Sequence, residues 1–168
     1  DKLLYKIPEE CKQFEAIICE PIDVSSPKFM KVLKHGFKNL LKDPSIIFNQ
    51  KKQTIKLHFD MCHGYGIIDS AIDVMHSKDK VDFKNFIYNS ISFNPHIVFI
   101  SKPNIANRWF SDLFSWLDNC EKIIGFKKLK GYEKRLYAYL AERYLSFWFK
   151  KYTNSIDWPL ITVDIENI

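Results

Sequence analysis

Tyr132-Glu133-Lys134-Arg135-Leu136-Tyr137-Ala138-Tyr139-Leu140-Ala141-Glu142-Arg143-Tyr144-Leu145-Ser146-Phe147-Trp148-Phe149-Lys150-Lys151-Tyr152 contains neither Pro nor Gly. It is rich in helix formers, so it reads as a helix of about five turns. Advancing about 100° per residue, Arg135, Tyr139, Glu142, Arg143, Ser146 and Lys150 fall on one polar stripe roughly 100° wide. Leu136, Tyr137, Ala138, Leu140, Ala141, Tyr144, Leu145, Phe147, Trp148 and Phe149 cover the remainder. A helix apolar over most of its circumference must be enclosed by protein. Its stripe then meets either bulk water, with weak helical ion pairs, or a polar cleft.

The rest of the chain supplies that enclosure. Its 168 residues are enough for one domain with a real core, and 46% hydrophobic and 15% aromatic residues argue for a packed body. We expect residues 1–168 to form a single domain. No internal repeat or low-complexity tract is visible. Pro8-Glu9-Glu10 suits a short turn, and Glu15 to Glu20 a short buried strand ended by Pro21. Ser26 and Pro27 open an amphipathic helix through Phe29, Val32, Leu33, Phe37, Leu40 and Leu41. Residues 43–53 read as a loop. Thr54 to Met61 suits either a strand, by alternation, or a short helix capped by Thr54. Helices follow over Ile67–Met75 and Asp82–Ile91, and a second buried strand over Ile97–Ile100. Asn104–Ile124 is the most regular helix, with Trp109, Leu113, Trp116 and Cys120 on one apolar face. Phe126–Gly131 is a basic loop. Asp157-Trp158-Pro159 turns into a last strand, Leu160–Val163. Helices outnumber strands, and the strands look covered.

Charge and cysteines bound the function. Lys and Arg number 25 against 20 Asp and Glu, a net +5. That favours anionic partners but is low for dedicated nucleic-acid binding. Basic residues interleaved with aromatics at Phe126–Lys130 and Phe147–Tyr152 suit a membrane-surface patch. No apolar run approaches the roughly 18 residues of a membrane span. Cys11, Cys19, Cys62 and Cys120 are scattered without a C-x-x-C pair, as in a cytosolic protein with reduced thiols.

Three constellations could carry chemistry. His58, Asp60, Cys62 and His63 pack four possible metal ligands into one short stretch, and His96 could join them for zinc, although ligands so tightly spaced rarely converge. His63-Gly64-Tyr65-Gly66 opens a helix, where backbone amides can bind an anion and the imidazole can act as acid or base. Arg135, Glu142 and Arg143 share the polar stripe, and an Arg set against apolar neighbours wants a carboxylate or phosphate.

The order of these motifs resembles a known family. His58-Phe59 with His63 is similar to a Q-Y-x-x-x-H element. Arg108-Trp109-Phe110-Ser111-Asp112-Leu113-Phe114 is similar to a Tyr/Trp-rich helix. Arg135 to Tyr144 is similar to an R-x-x-G-[FY]-x-x-E-R-L helix. The family is that of bacterial surface-polysaccharide glycosyltransferases of galactofuranosyltransferase-like type, active in capsule and lipopolysaccharide synthesis and often described only as a domain of unknown function. The likeness runs from about Glu15 to Val163. His58 stands where the family has Gln, Ala138 where it has Gly, and Ile97 where it has Asn. The family's N-terminal nucleotide-binding strands precede the part that this chain resembles, so the chain is expected to be the C-terminal part of such an enzyme.

The resemblance implies a helix-rich α/β fold, a partial nucleotide-diphospho-sugar transferase-like domain with few short strands covered by helices. It implies transfer of a sugar from a nucleotide-sugar donor to a glycan or lipid-linked glycan acceptor. Glu142 and His63 would be the catalytic residues. Arg135, Arg143, Gly64 and Gly66 would bind substrate or phosphate. No protein metal ligand is implied, and a divalent metal is an optional cofactor. The location would be cytoplasmic, with peripheral contact at the inner membrane face. The rival reading is a non-catalytic recognition or scaffold domain of a polysaccharide-assembly protein at that face.

Overall fold

A computed structural model of the chain describes residues 7–25, 53–125 and 129–160. The elements in order are β1 (Ala16–Cys19), β2 (Ile22–Asp23), α1 (Ile55–His63), α2 (Ile67–Asp73), α3 (Ser77–Asn89), β3 (Ser92–Phe93), β4 (Phe99–Ser101), α4 (Pro103–Ile124), α5 (Leu136–Tyr152) and β5 (Ser155–Trp158). Short 3₁₀ turns cover Glu9–Cys11 and Gly131–Arg135. The fold is helix-rich α/β, as expected. No helix among the described residues is long and apolar enough to cross a membrane.

Strand β1 lies between β4, which it pairs antiparallel, and β5, which it pairs parallel. β2 and β3 form a separate antiparallel pair. All four residues of β1 are buried, as expected of a covered strand. Its neighbours are less covered. Ala16 and Ile18 join the helical core. Ile17, in register with Ile100 and Ile156, points to the other face. There Ile100 is exposed, and Ile7, Cys11 and Phe14 line a shallow cavity with it.

Helix α5 is the centre of the body. Leu136, Leu140, Ala141, Tyr144, Leu145, Phe147, Trp148 and Phe149 are all buried. Phe83 of α3 packs against Trp116, Tyr144 and Phe147, and Phe99 of β4 packs against Trp109 and Phe149. In the membrane patch expected over Phe147–Tyr152, Phe147, Trp148 and Phe149 are therefore in the core and not at the surface. Tyr152 is half-buried, and Lys151 is tied to Asp79 and Asp82. Residues 126–128 of the basic loop lie outside the described residues. So does the helix expected after Pro27.

Several boundaries differ from expectation. Thr54–Met61 resolves as helix: Thr54 accepts from the Leu57 amide, and Ile55 and Phe59, one turn apart, both face the core. α3 starts earlier than Asp82, because the His76 side chain caps it by accepting from the Lys78 amide. The last strand among the described residues is Ser155–Trp158; the strand expected over Leu160–Val163 lies, beyond residue 160, outside the described residues. Asp157 and Trp158, expected in a turn, are paired with Ile18 and Cys19. Pro159 follows the strand, since it has no N–H to continue a ladder.

Cys120 is fully buried on α4, and burial pushes its thiol up to about 12. In the unfolded chain a thiol ionises near 8.5. A group whose folded pKa is raised contributes stability that is intact below the unfolded value and lost as pH rises toward the folded one. The urea midpoint is therefore expected to fall from about pH 8.5 upward. Buried Tyr144, whose phenol burial also pushes up, adds to the loss from about pH 10. In Cys120→Ala the fall between about pH 8.5 and 10 should be shallower. Equal slopes for the two proteins would remove Cys120 from this linkage.

Candidate functional site

The middle of the polar stripe of α5 turns inward, while Arg135 and Lys150 at its ends are exposed. Arg143 is 1% exposed, and Ser146 and Tyr139 are also buried. Arg143 Nη1 donates to the Tyr139 carbonyl at 3.2 Å and to Glu142 Oε2 at 2.9 Å. Its Nη2 lies 3.3 Å from His58 Nδ1 and 3.4 Å from His63 Nε2. The guanidinium plane sits over the rings of Phe93 (4.0 Å) and Phe59 (5.3 Å). Each contact has a local cause. α5 presents Tyr139, Glu142 and Arg143 along one face. α1 contributes Phe59 to the core and thereby brings His58 and His63 to that face. β3 carries Phe93.

The chemistry follows from this geometry. A guanidinium removed from water is costly unless its donors are satisfied and its charge opposed. Glu142 opposes the charge. The two histidines serve as acceptors only where the facing nitrogen carries no proton, so the contact fixes the tautomer of each ring. His63 is further held by stacking on Tyr139, with ring centroids 3.8 Å apart. The Glu142 side chain keeps 17% of its surface exposed, against 1% for Arg143. The carboxylate is thus the part of the cluster that reaches outward, and the arginine lies behind it.

A second polar knot adjoins the cluster. The Asn94 amide donates to Ser146 Oγ at 2.7 Å, and Asn94 Nδ2 donates to the Cys19 carbonyl and to Asp157 Oδ1. This fully buried Asn ties α5 to β1 and β5. In the sequence, Asn94-Pro95 reads only as a turn.

Of the expected site residues, His63, Glu142 and Arg143 converge. Arg135 does not join them: it is exposed at the start of α5, with its guanidinium 5.4 Å from the Tyr139 ring. Gly64 and Gly66 both take positive φ between α1 and α2. The Gly66 amide is donated to Asp60 Oδ1 at 3.2 Å, so a protein carboxylate already occupies that end of α2. Lys56 bonds Asp60 and also Asp69. Burial disfavours the Lys56 ammonium, but its hydrogen bonds to the two carboxylates outweigh this and its pKa moves up. Asp60 is therefore engaged away from the histidines. Among the described residues no group of three or more His, Cys, Asp and Glu side chains is arranged to hold a metal ion. Phe93 and Asn94 are not singled out in the sequence as members of this site. His58 is, but as a possible metal ligand and as the residue standing where the resembled motif has Gln, not as a partner of Arg143.

Comparison with known proteins adds one match. The profile of the family described as "Domain of unknown function (DUF4422)" matches residues 20–154. No curated protein and no solved structure matches the chain. The matched span covers α1 and α5, and so every residue of the histidine–arginine–glutamate cluster. The chain belongs to the DUF4422 family.

Proposed function

We propose that this chain is a glycosyltransferase, or the C-terminal part of one, that moves a sugar from a nucleotide-sugar donor to a bacterial surface glycan. The observation that carries the reading is the convergence of His58, His63, Glu142 and Arg143 from two helices about 80 residues apart. Four polar side chains with one deeply buried cation are an expensive way to join two helices, and such groupings concentrate at functional sites. The motif resemblance falls on three of the four. In this reading Glu142 takes the proton of an acceptor hydroxyl, and His63 faces the substrate beside it. Arg143 is a positioning residue: too buried to meet a diphosphate, it fixes the Glu142 carboxylate and both imidazoles. Arg135, exposed at the helix start, is the better placed of the two arginines for a phosphate.

The scaffold reading is weaker, because Phe147, Trp148 and Phe149 of its patch are in the core.

Two measurements test the proposal. A panel of nucleotide sugars should raise the melting temperature for at least one donor, since a ligand bound only by the folded state stabilises it. Glu142→Gln should then lower transfer by about 10²–10⁴-fold, with donor-induced stabilisation retained. Full transfer activity in a folded Glu142→Gln protein would exclude the carboxylate as the base. No shift with any nucleotide sugar would favour the scaffold.

A further inference from the structure

Helix α4 has two patterned faces. Ile105, Trp109, Leu113, Trp116 and Cys120 are buried in the core. On the adjoining flank, Pro103, Asn107, Phe110, Phe114, Leu117 and Glu121 are spaced 4, 3, 4, 3 and 4 residues apart. At about 100° per residue they fall within about 80° of one another. Alternation of three and four is the spacing of a seam between two helices. Phe110 and Phe114, at its centre, are 40% and 56% exposed, with stacked rings 5.9 Å apart. Phe110 rests on Phe99 and Trp109, so the pair is supported from behind. Single exposed apolar residues are ordinary, whereas two ordered aromatics side by side mark a contact surface.

The pattern identifies the partner. The six positions are symmetric about residue 112: Phe110 mirrors Phe114, Asn107 mirrors Leu117, and Pro103 mirrors Glu121. Lys102 stands beside Pro103 at one end of the seam, and Glu121 closes the other. Both are exposed, and neither makes an ion pair among the described residues. No Lys or Arg stands on the seam between them, so it does not suit an anionic membrane, which basic residues hold. A seam that is positive at one end, negative at the other and aromatic in the middle complements its own reverse. Two copies of α4 laid antiparallel about a two-fold axis near residue 112 bring Phe110 of each onto Phe114 of the other, and Lys102 of each beside Glu121 of the other.

We propose that a second copy of this chain docks here, through an antiparallel pairing of α4 with α4. The seam from Pro103 to Glu121 is about 27 Å long and about 10 Å wide. That is smaller than the roughly 800 Å² per partner of a standard interface, so the dimer is transient. The aromatic centre supplies most of the affinity. The two exposed Lys–Glu pairs add little to it and fix the orientation. The inference needs no sugar substrate and stands apart from the transferase reading.

Sedimentation equilibrium of the full chain, from about 5 µM to about 500 µM, brackets the affinity of a transient pair. A monomer–dimer equilibrium is expected. Phe114→Glu, which alters an exposed ring, should stay folded and raise the dissociation constant at least about 10-fold. Lys102→Glu and Glu121→Lys should each weaken the dimer by about 2–5-fold. The two changes together in one chain should restore the parent value, because each end again meets its opposite. Any stabilisation by a nucleotide sugar should be unchanged in Phe114→Glu, which keeps failure of this inference distinct from failure of the transferase reading. The proposal is overturned by a monomer at every concentration, by a dimer that Phe114→Glu leaves intact, or by a double charge reversal no tighter than the single changes.

Discussion

Arg143→Ala is expected to lower the free energy of unfolding by about 3–5 kcal/mol, the usual cost of removing one partner from a buried charged pair. The side chain is 1% exposed and supplies donors to Glu142, the Tyr139 carbonyl, His58 and His63. Its removal leaves a cavity over Phe93 and Phe59 and takes the opposing charge from Glu142. In a chain of this length each kcal/mol moves the melting temperature by about 2–4 °C, so a fall of about 6–20 °C should be seen. Arg143→Lys keeps the charge but not the planar fork. One ammonium cannot reach Glu142 and both imidazoles with the same geometry, so an intermediate loss is expected. Urea unfolding of the three proteins checks the order. A loss below about 1 kcal/mol for Arg143→Ala would mean that the guanidinium is not the hub of the cluster.

Trp148→Ala is expected to cost a similar about 3–5 kcal/mol by a different route. Trp148 is fully buried on α5 and packs against Phe149 and Tyr152, with Arg108 5.4 Å from its ring. The large indole cannot be replaced by collapse from a single neighbour. Its Nε1 also donates to Asp112 Oδ2 at 2.8 Å. Asp112 keeps Lys78 and is partly exposed, so the lost hydrogen bond adds little. The cavity is the main loss. Trp148→Phe, which retains most of the packing, should cost less than half as much. Equal losses for Ala and Phe would assign the effect to the Asp112 bond instead of to packing. Chemical denaturation monitored by far-UV circular dichroism separates these outcomes, since it does not depend on the indole removed.

Much of this arrangement was legible in the residues. The apolar circumference of α5 and the regular face of α4 are 3.6-residue patterns, and both helices are where periodicity puts them. The polar stripe was legible as a stripe. Its inward orientation was not, because a period says which residues share a face and is silent on what that face meets. Only the partner elements, α1 and β3, decide it. Thr54–Met61 could not be assigned because Ile55, Leu57, Phe59 and Met61 satisfy both periods, and the choice came from the packing of Ile55 and Phe59. The start of α3 at Ser77 is hidden in the sequence because its cap is His76, an uncommon N-cap. β5 is not legible in the sequence, because a four-residue strand containing Asp157 carries little apolar signal. Its reason for being a strand is the pairing with β1 and the Asn94 bond to Asp157, both remote in sequence.

The parallel pairing of β1 with β5 has a kinetic consequence. Ala16 meets Ser155, and the neighbouring contact from the Asn154 amide to Glu15 joins residues 139 apart. Closing so long a loop costs chain entropy before any strand–strand bond is gained. Helix pairs such as α1 with α2, adjacent in sequence, face no such delay. Formation of the three-stranded sheet is therefore placed late on the folding route, after the helices have gathered around α5. The rate of folding is set by the meeting of two distant segments, and the helical propensity that dominates the sequence has little leverage on it.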